Sequence, residues 1–444
     1  MNKVIGRIRK MSSFQIIIFG FLCVILFGAF VLMLPISSRE GHAVPFLDSL
    51  FTAVSAVCVT GLVLHDTATW WSPFGQIVIM LLIQIGGMGV ITVAASFAML
   101  AGRKISLVQR STMQEAIAAP RMGGIVRLTV FIIKITLVLE LAGAVVMAPV
   151  FCRDFGIRGL WMAVFHSVSA FCNAGFDLMG EKETFSSLTF YADNPVINIT
   201  IMLLIIIGGI GFLTWDDIRA NRHHLRRYRM QSKVILCTTA ILLLIPAVYF
   251  FFFEFSSLPG FERFISSAFQ AVTPRTAGFN TEDLSRLSEP GKFITIILML
   301  IGGSPGSTAG GMKITTIAVL SGTAIATFQR KDHAHFFGRR IGDEVVKNAA
   351  TIFLMYITLF CIGGVIISIY EGLPMLTCLF ETASAIGTVG LTLGITPGLG
   401  ILSQVILIVL MFFGRVGGLT LIFAALSGTR RSTAMLPQEK ITTG

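Results

Sequence analysis

One short element recurs four times along this chain, and it constrains the fold more than any other feature. The copies read S-A-V-C-V-T-G-L at 55–62, S-A-F-C-N-A-G-F at 169–176, V-T-P-R-T-A-G-F at 272–279 and S-A-I-G-T-V-G-L at 384–391. A phenylalanine (Phe51, Phe165, Phe269, Phe380) precedes each repeat glycine (Gly61, Gly175, Gly278, Gly390) by nine or ten residues. Self-similarity at a fixed period marks a repeat architecture. Four copies of one loop can surround a single axis, and a ring of four backbone loops can replace the water around a cation.

The environment of these loops follows from composition. The chain is 54% hydrophobic and only 13% charged over 444 residues, which no ordinary soluble domain matches. Apolar runs near the length of a bilayer crossing recur throughout, so the class is a polytopic helical membrane protein. The net charge of +11 is carried by connecting segments rather than by an aromatic-interleaved patch, which excludes a nucleic-acid partner. The seven cysteines have no metal-ligand spacing, and most fall in apolar segments as small packing residues. The first apolar run follows Lys3, Arg7, Arg9 and Lys10, is too long for a signal h-region, and reads as an uncleaved first span.

Eight spans are expected, at 14–35, 73–101, 126–150, 194–214, 233–254, 290–326, 345–370 and 398–426. Within each pair lies a stretch of about a dozen apolar residues ending at a repeat glycine. At about 1.5 Å per residue it covers only about 18 Å, so it reads as a re-entrant half-helix. The expected fold is all-α: four membrane–pore–membrane repeats, with eight transmembrane helices and four pore half-helices around a pseudo-fourfold axis. Two spans per unit return the chain to its starting side, so the units are not inverted. The predicted divisions are an N-terminus at 1–13, repeats at 14–101, 126–214, 233–326 and 345–426, linkers at 102–125, 215–232 and 327–344, and a tail at 427–444.

Basic residues set the predicted orientation. The linkers hold Arg103, Lys104, Arg110 and Arg121, then Arg219, Arg222, Arg226, Arg227 and Arg229, then Arg330, Lys331, Arg339 and Arg340, and the tail adds Arg430 and Arg431. Loops within units are acidic or mixed: His65 and Asp66, then Asp177, Glu181 and Glu183, then Glu282 and Asp283. Both termini and the linkers are therefore expected in the cytoplasm of a plasma-membrane protein. The run R-A-N-R-H-H-L-R-R-Y-R at 219–229 is dense enough to suit an acidic lipid or protein as well as topology.

Chemistry explains the glycines. Side-chain carboxylates would hold a dehydrated cation too tightly for throughput, whereas neutral backbone carbonyls replace its water and still release it. Carbonyls aimed at an axis demand backbone conformations that a Cβ resists, and glycine removes that penalty. A single V-T-G or T-A-G would read as small-residue packing. Four copies, each between two spans, read as a filter.

On these motifs the whole chain resembles the Trk/Ktr/HKT superfamily of cation transporters, most closely the KtrB-type membrane subunit. The resemblance implies filter backbone, and potassium held by its carbonyls, at Val59-Thr60-Gly61, Asn173-Ala174-Gly175, Thr276-Ala277-Gly278 and Thr388-Val389-Gly390. In this family four filter glycines go with potassium and a serine at the first with sodium, so potassium is the implied substrate, with sodium coupling left open. Asn173 makes the ring chemically uneven. The resemblance also implies a homodimer and a cytosolic ring of RCK-type subunits that bind nucleotide.

Each second span carries a glycine cluster: 86–89, 208–211, 302–311 and 414–418. Three of these read as close helix packing. The third differs, because Gly302-Gly303-Ser304-Pro305-Gly306-Ser307-Thr308-Ala309-Gly310-Gly311 cannot continue a stable helix. Broken backbone at membrane depth must line a cavity or be buried in protein, so this segment reads as an intramembrane loop obstructing the path beneath the filter, matching the family's gate. Lys313 and Arg415 are mid-span charges and belong to the same gate, Lys313 as anchor and Arg415 as a barrier to cation exit. Arg275 in the third copy and Glu381 on the fourth half-helix are expected to pair and brace the filter. Lys134 and Glu140 read as a packing pair, and Asp177 and Glu181 as carboxylates able to gather cations at the outer mouth.

Other classes fare worse. The spans hold no His-x-x-x-His, Asp pair or Ser–Lys dyad for a membrane-embedded enzyme. G-R-K-I-S and similar strings are not phosphate loops, so no organic cofactor is expected in this chain. A sodium-selective or weakly selective channel of the same fold is the alternative to potassium uptake.

Overall fold

The computed structural model describes residues 12–102, 105–119, 122–418, 420, 421 and 424. The N-terminal basic residues, Arg103, Lys104, Arg121, Arg430, Arg431 and almost all of the region beyond Gly418 lie outside them. The described chain is overwhelmingly helical, with one two-stranded hairpin, His335–Phe336 against Arg339–Arg340, inside the third predicted linker.

Among the described residues, four helices are each long and apolar enough to cross a membrane: Ser13–Leu32, Ile125–Phe155, Met230–Glu254 and Asp343–Glu371. The third finishes in a π-helical turn, Phe250–Glu254. Their outer faces expose Phe27, Leu137, Val138, Leu244, Ile245, Leu354 and Ile369. An apolar exterior of this extent suits lipid rather than water.

The partner spans are not the continuous helices the sequence suggests. Pro73–Met88 and Val90–Met99 meet at 96°, and Pro195–Gly209 and Phe212–Asn221 at 95°. The elbows are Gly89 (φ +86) and Gly211 (φ +89), and Gly417 repeats the conformation at φ +85. Positive φ with extended ψ is nearly closed to residues with a Cβ, so these glycines turn the chain rather than merely admit a neighbour. The predicted span at 290–326 is two helices, Glu289–Leu300 and Ile314–Phe328, separated by the glycine-rich loop.

Three of these spans start from the same local device. Ser72, Asn194 and Ser288 are N-caps, with Pro73, Pro195 and Pro290 in the first turn. The amide of Gly75 donates to Ser72 Oγ (3.2 Å), that of Val196 to Asn194 Oδ1 (3.0 Å), and that of Gly291 to Ser288 Oγ (3.1 Å). Proline is pre-set for a first turn whose amides lack helical partners anyway.

Between the members of each pair lies a helix of 13 or 14 residues: Phe46–Cys58, Arg158–Phe171, Gly260–Val272 and Met375–Gly387. Each is far more buried than the long helices. The repeated Phe51, Phe165, Phe269 and Phe380 are fully enclosed, as are Leu62, Phe176, Phe279 and Leu391 just beyond the glycines. The core is thus centred on the four short helices, and the long helices form its skin.

Candidate functional site: a ring of four turns

Every short helix ends in the same turn. Val59, Asn173, Thr276 and Thr388 have φ of +59, +58, +63 and +52, and Gly61, Gly175, Gly278 and Gly390 follow at +93, +70, +79 and +92. For β-branched Val59, Thr276 and Thr388 this left-handed conformation is a true outlier. Such strain persists only where the surroundings over-determine it. Ser55 and Ser384 help hold it, accepting from the amides of Gly61 (3.1 Å) and Gly390 (3.0 Å).

The four turns touch in cyclic order. A side-chain carbon on Gly61 would strike the Ala174 carbonyl oxygen; on Gly175, that of Ala277; on Gly278, that of Val389; and on Gly390, that of Thr60. The second-span glycines press in behind: Gly86, Gly208 and Gly414 abut the carbonyls of Val57, Phe171 and Ile386, each four residues before a ring glycine. Close packing is therefore what these three glycines do, and a positive-φ glycine that turns the chain (Gly89, Gly211, Gly417) follows each of them by three residues. The hydroxyls of Thr60, Thr276 and Thr388 are buried in the ring without a protein partner.

The Asn173 side chain is turned to its neighbours. Its Nδ2 donates to the carbonyls of Arg275 (3.1 Å) and Ile205 (3.4 Å), and its Oδ1 accepts from Thr308 Oγ1 (2.9 Å). That last bond joins the ring to the loop 302–311. The loop has a closed neck, with the Gly302 amide on Met312 O (2.8 Å) and the Ile314 amide on Gly303 O (3.0 Å). Its Ser304 and Thr308 amides bond the carbonyls of Gly209 (3.0 Å) and Gly208 (3.3 Å), and its Gly311 amide bonds that of Gly414 (3.1 Å). Gly310 lies against the Thr388 side chain. The segment is irregular, as expected, and packs directly against two of the four turns.

Both predicted gate cations bind this loop by its carbonyls. Lys313 Nζ donates to Ala309 O (2.9 Å) and Gly310 O (3.2 Å). Arg415 donates through Nη1 to Thr308 O, and through Nη2 to Gly86 O and to Gly87 O (3.1 Å). Both line a cavity of about 370 Å³ with Met88, Pro305, Gly306 and Ser307.

The expected Arg275–Glu381 ion pair is not formed. Glu381 is taken up by the segment beyond its own turn: Oε1 accepts from Thr392 Oγ1 (2.5 Å) and the Leu393 amide (3.1 Å), and Oε2 accepts from Thr396 Oγ1 (2.7 Å). Arg275 points back to Thr239 Oγ1 (3.3 Å), with Nε and Nη1 unpartnered. Lys134 and Glu140 do not pair either, since Gln84 Nε2 donates to Glu140 (3.1 Å) and Cys172 Sγ lies 3.8 Å from its other oxygen. Of the two carboxylates expected to gather cations, Glu181 is bound by Arg158 (2.6 Å), whereas Asp177, two residues past Gly175, is half-buried and accepts from the Met179 amide (2.9 Å).

One contributor escaped the sequence reading. His166 Nδ1 bonds the Met162 carbonyl (2.7 Å), so Nε2 accepts from the Leu178 amide (3.3 Å). His166 and Glu381 each lie nine residues before a ring glycine, and Leu178 and Leu393 three after. Two different side chains thus cap the same amide in two repeats, a likeness visible only by position within the repeat.

A helical bundle with a lipid-facing skin and a central collar of backbone turns defines a membrane transport protein. The family model TrkH, described as cation transport protein, matches residues 5–432, and the chain belongs to that family. It is 40% identical to the potassium/sodium uptake protein NtpJ of Enterococcus hirae over 99% of both chains. It is 38% identical to the Ktr system potassium uptake protein B of Bacillus subtilis, over 100% of this chain and 99% of the relative. The corresponding protein of Vibrio alginolyticus is 34% identical, over 97% and 94%. The crystal structure of the potassium transporter TrkH from Vibrio parahaemolyticus superposes with a TM-score of 0.70 at 22% identity, covering 91% of this chain and 84% of that one. The chain is a multi-pass cation transporter of the Trk/Ktr superfamily, of the KtrB-like kind, and not an enzyme.

Proposed function

We propose that this protein takes up potassium across the plasma membrane through the collar formed by Val59-Thr60-Gly61, Asn173-Ala174-Gly175, Thr276-Ala277-Gly278 and Thr388-Val389-Gly390. The observation that carries this reading is the cyclic contact of the four turns, each glycine lying against a carbonyl oxygen of the next. Neutral oxygens on a strained, pre-organised backbone replace an ion's hydration shell without trapping it. In this reading four membrane–pore–membrane repeats surround the path, and the second spans cross the bilayer despite their elbows. Both termini and the basic linkers face the cytoplasm, where positive residues collect.

Loop 302–311 is the gate in this proposal. It closes the path under the collar, and Arg415 and Lys313 hold it there while adding positive charge that opposes cation exit. The Ktr system names of two relatives support a further, separately encoded component. We assign that role to a cytosolic RCK-type nucleotide-binding ring acting on the basic linkers of a homodimer. Sodium coupling is a second reading, favoured by the potassium/sodium name of the NtpJ relative and the unevenness that Asn173 introduces.

Complementation of a potassium-uptake-deficient cell at limiting potassium, with and without Gly278→Ser, tests the collar. Growth of the parent and loss of potassium-over-sodium discrimination in the variant support it. A variant that equals the parent at every potassium level, with unchanged sodium exclusion, rejects it.

A further inference from the structure

We propose that a crevice at the N-terminal foot of the helix Ile125–Phe155 binds the phosphate headgroup of an anionic membrane lipid. The crevice encloses about 610 Å³, and its walls include Arg127, Arg219, Arg229, Asp216, Phe131 and Leu213. Only one of the three guanidinium groups is compensated. Arg229 lies 3.2 Å from Asp216 and 3.4 Å from Asp217. Arg127 and Arg219 have no carboxylate within ion-pair distance among the described residues, and Arg219 is instead held over the Phe131 ring at 4.9 Å. A concave site with this surplus of positive charge selects an anion, and guanidinium forks match phosphate oxygens. The helix starts at Ile125 with Gly124 as its N-cap and no side-chain cap, so the positive end of its dipole faces this foot.

The same crevice calls for hydrocarbon as well as phosphate. Leu128, Phe131 and Leu213 also line it. From Phe131 the helix face continues through Lys134 to Val138, Leu141 and Val145, which are 64%, 65% and 62% exposed. Residues three, four and seven apart share a helix face, so a chain leaving the crevice lies along an apolar row. Lys134 also fits this reading. It is an exposed cation one turn above the crevice, and a cation at that depth snorkels to an interfacial anion. A soluble phosphate would satisfy the arginines and leave the apolar row unused; an anionic phospholipid satisfies both. The orientation proposed above puts the crevice in the cytoplasmic leaflet, where anionic lipids attract basic residues.

The test reads lipid binding rather than transport, so its outcome is independent of the potassium assignment. The full chain in detergent micelles is titrated with phosphatidylglycerol or phosphatidylcholine and followed by native mass spectrometry. The expected result is preferential retention of phosphatidylglycerol. It weakens about fivefold in Arg127→Gln or Arg219→Gln and on the order of 30-fold in the double variant. Arg127→Lys with Arg219→Lys keeps the charge and retains most of the binding, which separates loss of the site from loss of the fold. Undiminished phosphatidylglycerol binding in the double glutamine variant overturns the proposal. So does displacement of the lipid by glycerol phosphate at equal concentration, which assigns the crevice to a soluble phosphate, or by an acidic peptide, which assigns it to a protein.

Discussion

The guanidinium of Arg415 donates to the carbonyl of Thr308, and through that bond the last described helix holds a loop that belongs to the third repeat. The same side chain also bonds Gly86 and Gly87 of the first repeat, so one residue joins three quarters of the molecule beneath the collar. Thr308 in turn donates to Asn173 of the second. Loop, collar and cation form one connected network.

Arg415→Gln should therefore loosen the loop and raise unstimulated flux. A hydrogen bond to a charged group contributes about 1.5–3 kcal/mol, so the open population should rise roughly tenfold or more. Rubidium uptake into proteoliposomes measures it. Flux equal to the parent would remove Arg415 from the gate.

Gly390→Ala should abolish transport, whereas Gly338→Ala should be mild. Both glycines have positive φ, +92 and +75. An added methyl at Gly390 meets the Thr60 carbonyl, while at Gly338 it meets nothing within 4 Å. Backbone strain alone costs on the order of 1–2 kcal/mol, so the difference between the two variants isolates the steric demand of the collar. Uptake rates with matched membrane expression provide the comparison.

External pH should modulate cation entry through Asp177. Burial pushes its carboxyl up to about 7, aided by the Asp66 carboxylate and opposed by the bond from the Met179 amide. The raised value means the group is neutral below about pH 7 and anionic above it. Apparent affinity for the cation should then rise as external pH passes through that range. Asp177→Asn should stay at the low-pH level throughout, as read from concentration-dependent uptake at pH 5.5 to 8.5 (roughly 1.5 units either side of neutrality).

Arg275→Ala and Glu381→Ala should act independently on stability. Groups in direct contact usually show coupling of about 0.5–3 kcal/mol, and independent sites add within about 0.5 kcal/mol. Because Glu381 bonds Thr392, Leu393 and Thr396 while Arg275 bonds Thr239, a double-mutant cycle on thermal unfolding in detergent should show near-additivity. Strong coupling would restore the ion pair.

The collar was legible in the sequence because its demand is on backbone. Only glycine takes the required turn at Gly61, Gly175, Gly278 and Gly390, so four positions had to match. The loop 302–311 was legible for a similar reason, since proline and five glycines cannot stay helical. The elbows at Gly89 and Gly211 were hidden, because a glycine cluster in an apolar run serves packing and bending equally well. Side-chain pairing was hidden most of all. Sequence brought Arg275 and Glu381 to adjacent repeats but could not show that Glu381 finds three donors in its own loop. Glu140 likewise found Gln84 on another helix rather than Lys134 on its own.

The collar joins end to end: Gly390, from the quarter of the chain synthesised last, lies against Thr60, from the quarter synthesised first. A nascent polypeptide that has not yet reached Gly390 therefore has three sides of the ring of turns and no fourth. Ring closure thus waits for the last of the four turns, and if the ring is the proposed filter, a product truncated before Gly390 holds no finished one.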